Sequence, residues 1–171
     1  VDGNDEPNAM CLTTCSYNIP SARYVLLKEI KDEKFVFYTN YNSHKGKDIE
    51  SNPNVSILFF WAESQRQIRI TGTITKGERK EAEEYFVTRP IDSQIAAMAS
   101  PQSHEIDINK VLDEIERIVA NDQEIKCPEH WGSYHISATE FEFWQGQPAR
   151  LHDRIVYTYS ENLWKIKRIA P

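Results

Sequence analysis

The chain has 171 residues, of which 40% are hydrophobic and 27% charged, and it carries a formal net charge of −6. These values are typical of a globular protein, and the acidic balance argues against a general nucleic-acid binder, whose surface must neutralise phosphates. No apolar run approaches the roughly 20 residues of a membrane-spanning helix, and Val1 to Pro7 lacks the basic start and apolar middle of a signal peptide. We expect one cytoplasmic domain over residues 1–171, with residues 1–7 flexible, and neither a membrane nor a nucleic acid as partner.

The first half of the chain is predicted to be mainly β-structure around one short helix. Five segments rich in β-branched and aromatic residues are typical of strands. They cover Asn8 to Ser16, Ala22 to Ile30, Lys34 to Asn40, Val55 to Glu63 and Gln67 to Lys76. The fourth segment is apolar enough to be buried on both faces. Ahead of it, Ser43 is a suitable N-cap for a helix through Glu50 that Pro53 ends.

The second half predicts three helices followed by three strands. Carboxylates crowd the first turns of the first helix, and Pro90 suits the first position of the second. The helices cover Glu78 to Thr88, Pro90 to Ala99 and Ile108 to Ala120, and the strands cover Tyr134 to Trp144, Arg154 to Tyr159 and Leu163 to Ile169. The fold class is therefore mainly β (α+β), with six or more antiparallel strands and peripheral helices. On a chain of this size, such strands fit a closed barrel, which leaves no exposed sheet edge.

The cysteine, histidine and glycine patterns argue against three kinds of site. Cys11, Cys15 and Cys127 contain no Cys-x-x-Cys pair, and their odd number favours free thiols over disulfide bonds. The five histidines lack metal-ligand spacing, so no metal is predicted. Because none of the six glycines forms a Gly-x-Gly-x-x-Gly motif, a Rossmann phosphate cradle is excluded as well.

Basic residues at the start of the first predicted helix indicate an anion site. His44 and Lys45 follow the N-cap Ser43, where the helix dipole disfavours cations unless an anion is bound to the free amide groups. Arg23, on a neighbouring strand, can add a guanidinium fork to the same anion. The alternative is a lysine that is simply tolerated on the surface.

A second anion site is predicted where the first long helix meets the next one. Tyr85 and Arg89 are four residues apart and share a helical face, while Ser93 falls within the first turns of the following helix. A phenol, a guanidinium, a hydroxyl and free helix amides together suit a phosphomonoester. Alternatively, Tyr85 is an ordinary core residue and Arg89 pairs with Glu81 or Asp92.

Three basic residues near the end of the chain form a third candidate group. If this segment is extended, Arg150, His152 and Arg154 share one face of a strand, and the intervening residues point the other way. Three cations on one face repel one another, so an anionic or electron-rich partner is expected against them. The alternative is a solvated strand face with carboxylates nearby.

Several blocks of sequence carry a family resemblance that covers nearly the whole chain from about Glu6 onward. The most specific block is Phe143-Trp144-Gln145-Gly146 followed by Arg150-Leu151-His152-Asp153-Arg154. The others are Arg23 to Lys28, Phe37 to Asn40, Arg66-Gln67, Tyr85 to Gln94, Gln102-Ser103 and Arg168 to Pro171. In these blocks, and in their order, the chain resembles the pyridoxamine 5′-phosphate oxidase family.

This resemblance implies a split β-barrel and a homodimer with FMN at its interface, to which the apolar stretch Ile57 to Trp61 can contribute unless it is core. The implied activity is FMN-dependent oxidation of the phosphorylated B6 vitamers, pyridoxine 5′-phosphate and pyridoxamine 5′-phosphate, to pyridoxal 5′-phosphate. O2 is the implied electron acceptor and H2O2 the product. Two alternatives stay open: a related flavin oxidase of another aromatic compound, as in phenazine pathways, and a non-catalytic protein that binds FMN or pyridoxal phosphate.

The resemblance also assigns roles to individual residues. The positions that match FMN contacts are Arg23, Lys28, Tyr38, Thr39, His44, Lys45, Gln67, Gln102, Ser103, Trp131 and Arg154. The positions that match substrate contacts are Lys28, Tyr85, Arg89, Ser93, Arg150 and His152. Of these, Arg150 and His152 are the expected catalytic pair over the pyridine ring. His44 departs from the family, which commonly has Arg there, so one phosphate contact is expected to be weaker or pH-dependent.

Overall fold

A computed structural model describes residues 6–121 and 123–171, so the predicted flexibility of residues 1–7 falls mostly outside the described residues. Within these ranges the chain forms nine β-strands, four α-helices and one 3₁₀ turn. The strands are β1 (Ala9–Ser16), β2 (Ile19–Leu26), β3 (Glu29–Lys31), β4 (Lys34–Asn40), β5 (Asn54–Trp61), β6 (Arg66–Lys76), β7 (Trp131–Gln145), β8 (Asp153–Ser160) and β9 (Leu163–Arg168). The helices are α1 (His44–Ser51), α2 (Arg79–Phe86), α3 (Ile91–Ala99) and α4 (Ile108–Ala120), and the 3₁₀ turn is Pro148–Arg150.

The strands form one antiparallel sheet in the order β2-β1-β5-β6-β7-β4-β3, with β7 as its central strand. One edge of β7 pairs with β6 along most of its length. The other edge is divided, because its first half pairs with β4 and its second half with β8. β9 pairs with β8 and extends this second branch. The sheet therefore splits at β7 into two branches.

The strands at the two ends of this order are β2 and β3. In the chain, only Leu27 and Lys28 lie between them. The Leu27 amide donates to the carbonyl of Asn8 and the Lys28 amide to that of Val36, both at 2.9 Å, so this connection bridges β1 and β4. No ladder joins β2 directly to β4 in the described chain. The prediction of a closed barrel is therefore wrong, whereas the split barrel implied by the family resemblance is confirmed.

The core fills the interior of the barrel with side chains from alternating strand positions. Its fully buried members include Met10, Leu12, Phe37, Ile57, Ile70, Tyr134 and Ile136. Burial of each large apolar side chain contributes roughly 1.5–3 kcal/mol, so this interior is the main stabilising element. The prediction that β5 is buried on both faces is wrong, because Ile57 and Phe59 are buried whereas Phe60 is 50% exposed.

The helices begin and end close to the positions predicted from the sequence. Ser43 is the N-cap of α1, and its hydroxyl accepts a hydrogen bond from the amide of Gly46. The bounds of α4 are the predicted ones, whereas Pro90 is the N-cap of α3 rather than its first residue. None of the helices in the described chain combines the length and the apolar character needed to cross a membrane.

Candidate functional site

The first predicted anion site lies where β4 meets α1, and Lys45 is its most buried cation. Lys45 is 7% exposed, and its ammonium donates to Thr39 Oγ1 and to Ser43 Oγ, both at 3.1 Å. Burial, and then the charge of Arg23, lower the pKa of Lys45 to about 8. A buried cation whose hydrogen-bond partners, within residues 6–121 and 123–171, are hydroxyl groups only is well suited to bind an anion.

Arg23, whose charge acts on Lys45, shares one carboxylate with His44. The Arg23 guanidinium donates to Thr14 Oγ1 at 2.8 Å and lies 3.6 Å from Asp48. His44 lies 3.7 Å from the same carboxylate, which is buried. Burial lowers the pKa of Arg23, and the charge of Asp48 opposes this shift. Asp48 was not among the predicted site residues, because its hydroxyl partner Thr14 is 34 residues away on another element.

The residues around this first anion site, Arg23, Thr39, His44 and Lys45, are called the first cluster. Gln102 extends it, since its side-chain oxygen accepts a long hydrogen bond of 3.5 Å from Thr39. A cavity of about 250 Å³ beside Gln102 has polar side chains in its wall, including Asn40, Asn42, His104 and His130. The Nε2 atom of His130 is buried without a hydrogen-bond partner among the described residues. The predicted site residue Ser103 follows Gln102 and is exposed, with a φ of 69°.

The second predicted anion site surrounds a stack of aromatic rings. Tyr85 stacks on Tyr38 with ring centroids 3.9 Å apart, and Trp131 lies nearly parallel to both rings. The Arg89 guanidinium lies over the Trp131 ring, 4.7 Å from its centroid. Burial lowers the pKa of Arg89, and its Nη1 atom is buried with no hydrogen-bond partner in the described part of the chain.

Arg89 forms no ion pair with either carboxylate that the sequence offered as a partner. Glu81 instead accepts hydrogen bonds from Ser133 and His135, and neither it nor Asp92 pairs with Arg89 in the described chain. The interpretation of Arg89 as a salt-bridge residue is therefore wrong. A buried N–H group without a partner costs about 1–3 kcal/mol, more for a charged group, and an incoming anion would remove this cost.

The other predicted residues of the second site lie on neighbouring elements. Ser93 is half-buried in the first turn of α3, and Lys28 is exposed between β2 and β3. The family resemblance assigns Tyr38 and Trp131 to FMN, and the structure places both beside Tyr85. Because successive residues of a strand point to opposite faces, Tyr38 faces this stack while its neighbour Thr39 contacts the first cluster.

Arg150 lies in a turn and not in a strand. Pro148–Arg150 is a 3₁₀ turn in which Ala149 and Arg150 have φ values of 55° and 61°, and β8 begins only at Asp153. The prediction that Arg150 shares one strand face with His152 and Arg154 is therefore wrong. A left-handed conformation costs a non-glycine residue roughly 1–2 kcal/mol. This turn leaves Arg150 exposed at the surface.

His152 and Arg154 are each held by neighbouring groups. The Nδ1 atom of His152 accepts a hydrogen bond from the Gln147 amide at 3.1 Å, and its ring lies 4.7 Å from the ring of Trp144. Arg154 Nε donates to Glu142 at 2.7 Å. Both side chains thus have defined orientations, in contrast to the exposed Arg150.

Arg154 belongs to a row of side chains that crosses three strands. Gln67 pairs with Trp144, and Trp144 pairs with Arg154, so these three residues share one face of the sheet. Glu142 is 3% exposed on the same face and forms ion pairs with both Arg154 and Arg69. Trp144 and Glu142 were not among the predicted site residues. Their alternate positions in the predicted strand 134–144 could have indicated a shared face.

A larger cavity of about 710 Å³ lies on the opposite face of β7, and its wall is largely aromatic. The aromatic residues are Phe141, Phe143, Tyr157, Tyr159 and Trp164. Ligand sites combine an apolar wall with a few convergent polar groups. The predicted cations lie elsewhere. The candidate site therefore consists of the first cluster, the second anion site around Arg89, and the row of Gln67, Trp144 and Arg154, which is called the Gln67 row.

Comparison with known proteins gives two family matches. Residues 3–116 match the family described as pyridoxamine 5′-phosphate oxidase, and residues 131–171 match the pyridoxine 5′-phosphate oxidase C-terminal dimerisation region. A pyridoxine/pyridoxamine 5′-phosphate oxidase of Psychrobacter sp. (strain PRwf-1) is 46% identical over 174 residues, which cover 97% of this chain and 81% of the relative. A relative of the same name from Leptospira interrogans is 48% identical over 171 residues, covering 97% and 80%.

Solved structures share the fold. The crystal structure of PhzG from Burkholderia lata 383, in complex with tetrahydrophenazine-1-carboxylic acid, has a TM-score of 0.92 at 28% identity and covers 97% of this chain and 83% of that one. A pyridoxamine 5′-phosphate oxidase-related, FMN-binding protein from Nostoc punctiforme PCC 73102 has a TM-score of 0.78 at 14% identity, with 98% and 89% covered. The second likeness concerns the fold alone.

Proposed function

The chain belongs to the pyridoxamine 5′-phosphate oxidase family, and on this basis we propose that it is an FMN-dependent oxidase of phosphorylated B6 vitamers. It converts pyridoxine 5′-phosphate and pyridoxamine 5′-phosphate to pyridoxal 5′-phosphate, and O2 takes up the two electrons and two protons to give H2O2. In the pyridoxamine reaction the oxidised amine is an imine, which takes up water and releases ammonia to give the aldehyde. The observation that carries the substrate assignment is the buried, unpartnered Nη1 atom of Arg89 beside Tyr85 and Trp131.

Arg89 is the main ligand of the substrate phosphate in this proposal. Its guanidinium can form two parallel hydrogen bonds to a phosphate, and the surrounding rings exclude water that would weaken them. Tyr85 adds a phenolic hydroxyl, Ser93 adds a hydroxyl in the first turn of α3, and the exposed Lys28 adds a positive charge. The phosphate thereby removes the cost of the unpaired guanidinium nitrogen.

The first cluster fits the phosphate of FMN. Lys45 and Arg23 supply two cations, and Thr39 adds a hydroxyl next to the ammonium. His44 lies at the start of α1, where the free amides of the helix also favour an anion. Gln102 supplies an amide group close to this cluster for the polar edge of the flavin ring, and Ser103, the next residue, adds a hydroxyl. When bound, FMN supplies the acceptor for the hydride that leaves the 4′ carbon of the substrate.

The remaining FMN ligands require a second copy of the chain. Thr39 of the first cluster pairs with Gly132, and Gln67 of the Gln67 row pairs with Trp144. The first cluster and the Gln67 row therefore lie at different ends of β7. At about 3.3 Å per residue these ends are roughly 40 Å apart along the strand, which is too far for one FMN to bridge. We therefore propose a homodimer in which FMN lies between the first cluster of one protomer and the Gln67 row of its partner. The matched dimerisation region supports this arrangement.

Arg150 and His152 are the proposed catalytic residues over the pyridine ring. Because His152 accepts the Gln147 amide hydrogen through Nδ1, its neutral ring carries the proton on Nε2 and can donate it in a hydrogen bond to a substrate oxygen. Arg150 is exposed and can reach the ring and its oxygen substituent. His152 lies beside Trp144 and Arg89 lies over Trp131, at opposite ends of β7, so in the proposed homodimer Arg150 and His152 come from the partner of the protomer that supplies Arg89. There they hold the substrate in the geometry from which the 4′ hydride departs.

A phenazine-type oxidase is the second candidate, because the similar PhzG structure holds tetrahydrophenazine-1-carboxylic acid. A carboxylate can also pair with Arg89, so the guanidinium alone does not separate the two substrates. The trio of Arg89, Tyr85 and Ser93 offers more donors than one carboxylate needs, which favours a phosphate. A non-catalytic binder of FMN or pyridoxal phosphate would have no use for Arg150 and His152.

Aerobic turnover of pyridoxine 5′-phosphate by the purified, FMN-loaded protein tests the proposal. Pyridoxal phosphate formation is followed, and unphosphorylated pyridoxine is the comparison substrate. We expect strong preference for the ester, and Arg89→Ala should raise its KM at least about tenfold with a smaller effect on kcat. The exposed Arg117 on α4 provides the control variant Arg117→Ala. A yellow protein that makes no aldehyde from either vitamer phosphate would shift the assignment to the phenazine-type or binding-protein candidate.

A further inference from the structure

Glu81 on α2 is the centre of a polar cluster that the proposed reaction does not use. Its carboxylate accepts hydrogen bonds from Ser133 at 2.7 Å, from His135 at 2.6 Å and from Lys31 at 3.0 Å. The Glu81 side chain is 11% exposed. Although burial acts in the opposite direction, the hydrogen bonds from Ser133, Lys31 and His135 lower the pKa of Glu81, so it is held as a carboxylate.

The cluster connects the segments that carry the proposed phosphate ligands. Glu81 is one turn before Tyr85 on α2, and Arg89 follows in the same segment. Lys31 is on β3, three residues after Lys28, so its ion pair with Glu81 ties that strand to α2. The hydrogen bonds that Glu81 accepts from Ser133 and His135 fix α2 against β7, the strand that contributes Trp131 to the aromatic stack.

We propose that Glu81 is a positioning residue for the phosphate ester of the substrate, because it fixes α2 and β3 so that Tyr85, Arg89 and Lys28 converge on one phosphate. This inference rests on the proposed function and adds a residue that touches neither substrate nor cofactor. It acts through the geometry of the phosphate ligands, since a misplacement of about 1 Å can cost a large factor in catalysis.

Other contacts keep α2 folded when Glu81 is replaced. Phe86 and Ala82 are buried on the inner side of the helix. Arg79 donates to the carbonyl of Pro128 at 2.8 Å and to that of Cys127. Replacement of Glu81 therefore removes the polar connection to β3 and β7 while the apolar anchor persists, and its effect should be on alignment more than on folding.

Two substitutions of Glu81 distinguish an effect on the alignment of the phosphate ligands from an effect of the lost negative charge. Removal of a carboxylate near an anion site would by itself strengthen anion binding. Glu81→Ala and Glu81→Gln remove the same charge, but only the glutamine retains an oxygen that can take the place of Oε2 and accept from Ser133 and His135. Its amide nitrogen then replaces Oε1, the oxygen that accepts from Lys31. A direct electrostatic effect is thus equal in the two variants, whereas a positioning effect is larger in the alanine variant.

The experiment measures KM and kcat for pyridoxine 5′-phosphate, the Kd for FMN, and the Kd for pyridoxal 5′-phosphate by equilibrium dialysis against the FMN-loaded protein. For Glu81→Ala we expect KM and the pyridoxal phosphate Kd to rise about tenfold, with kcat and FMN affinity little changed. Glu81→Gln should recover the part of the loss that depends on the hydrogen bonds to β7. Glu84→Ala, on the exposed side of the same helix, is the matched control.

Three results would overturn the inference: equal losses in the alanine and glutamine variants, an unchanged Kd for pyridoxal phosphate in Glu81→Ala, or a parallel loss of FMN affinity. If Glu81→Ala does not fold, Lys31→Met breaks only the connection to β3, and it should raise the same two constants to a smaller extent. Absence of turnover in the unaltered protein would reject the proposed function, yet pyridoxal phosphate binding would still test Glu81. An unaltered protein that does not bind this ester would reject both.

Discussion

Among the described residues, the hydrogen-bond partners of the buried Lys45 are hydroxyl groups only, so its charge is unfavourable until an anion arrives. Burial and the charge of Arg23 lower its pKa from 10.5 to about 8. Below this lowered pKa, Lys45 is protonated in the folded and the unfolded chain, and the folded chain carries the full penalty, on the order of 3 kcal/mol. As the pH rises from 8 towards 10.5, the folded chain loses its proton first, so the penalty fades and stability increases.

We therefore expect FMN to bind more tightly near pH 7 than near pH 9. At the lower pH the phosphate meets a charged Lys45, whereas at the higher pH a proton must be taken up first, which weakens binding about tenfold. Quenching of flavin fluorescence measures the Kd at both values. Lys45→Met should remove most of this dependence and stabilise the FMN-free protein. Equal Kd values for the unaltered protein would contradict the role assigned to Lys45.

Glu142 combines a buried carboxylate with two arginines on the face of the Gln67 row. Glu142→Gln keeps the shape of the side chain but removes the charge that Arg154 and Arg69 share. We expect a loss of about 1–3 kcal/mol in the free energy of unfolding, together with weaker FMN binding because Arg154 loses its orientation. Urea denaturation measures the first effect. Glu140→Gln, two residues earlier on β7, should stay within about 0.5 kcal/mol.

The site residues that the sequence could indicate are those with local patterns. Ser43 and Lys45 are recognisable from the helix start, and Tyr85 and Arg89 from their spacing of four. The partners that orient such residues have no local pattern, because Asp48 meets Thr14 across 34 residues and Glu81 meets His135 across 54. Residue types predict which groups can bind an anion, but only the fold decides which carboxylates neutralise them.

At the scale of elements, Gly46 decides where α1 lies and hence where Lys45 points. A Cβ atom at this position would overlap the carbonyl oxygen of Tyr41, which is backbone and has little room to move. Alanine favours a helix over glycine by about 1 kcal/mol, but overpacking costs about 1–3 kcal/mol or more. We expect Gly46→Ala to lower the melting temperature and the FMN affinity together.

The exposed Lys47 on the same helix gives the matched control Lys47→Ala, which should change the free energy of unfolding by less than about 0.5 kcal/mol. Thermal melts with and without FMN separate the two effects of Gly46→Ala. A variant that melts like the unaltered protein would show that α1 can move away from Tyr41 without loss.

Strand and helix periodicity predicted most elements, and the failures have identifiable physical causes. The bounds of β4 and α4 are the predicted ones because their patterns are uninterrupted. The predicted strand 22–30 is divided between β2 and β3. It is interrupted at Leu27 and Lys28, whose amides donate to Asn8, just before β1, and to Val36 on β4. The turn at Arg150 could not be predicted from the sequence. Ala149 and Arg150 adopt positive φ values, whereas the residues that usually indicate this conformation are glycine and asparagine.

At the scale of the whole molecule, β7 explains why one chain holds two separate halves of the proposed FMN site. Its first half pairs with β4, which carries Thr39, and its second half lies between β6 and β8, which carry Gln67 and Arg154. Periodicity along the chain predicts such strands but not their partners. A closed barrel and a split barrel therefore give the same sequence pattern, and the family resemblance rather than the pattern separated them.

If FMN lies between protomers, two defective chains should repair each other. Lys45→Met weakens FMN binding by the first cluster and Arg154→Met weakens it by the Gln67 row, so neither homodimer retains an intact site. A mixed dimer still combines Lys45 of one protomer with Arg154 of the other. Random pairing of equal amounts in a co-refolded sample then gives roughly one intact site in four, measured as bound flavin and as pyridoxal phosphate formed. A site contained within one chain gives no recovery in any mixture, because every chain would carry one defect.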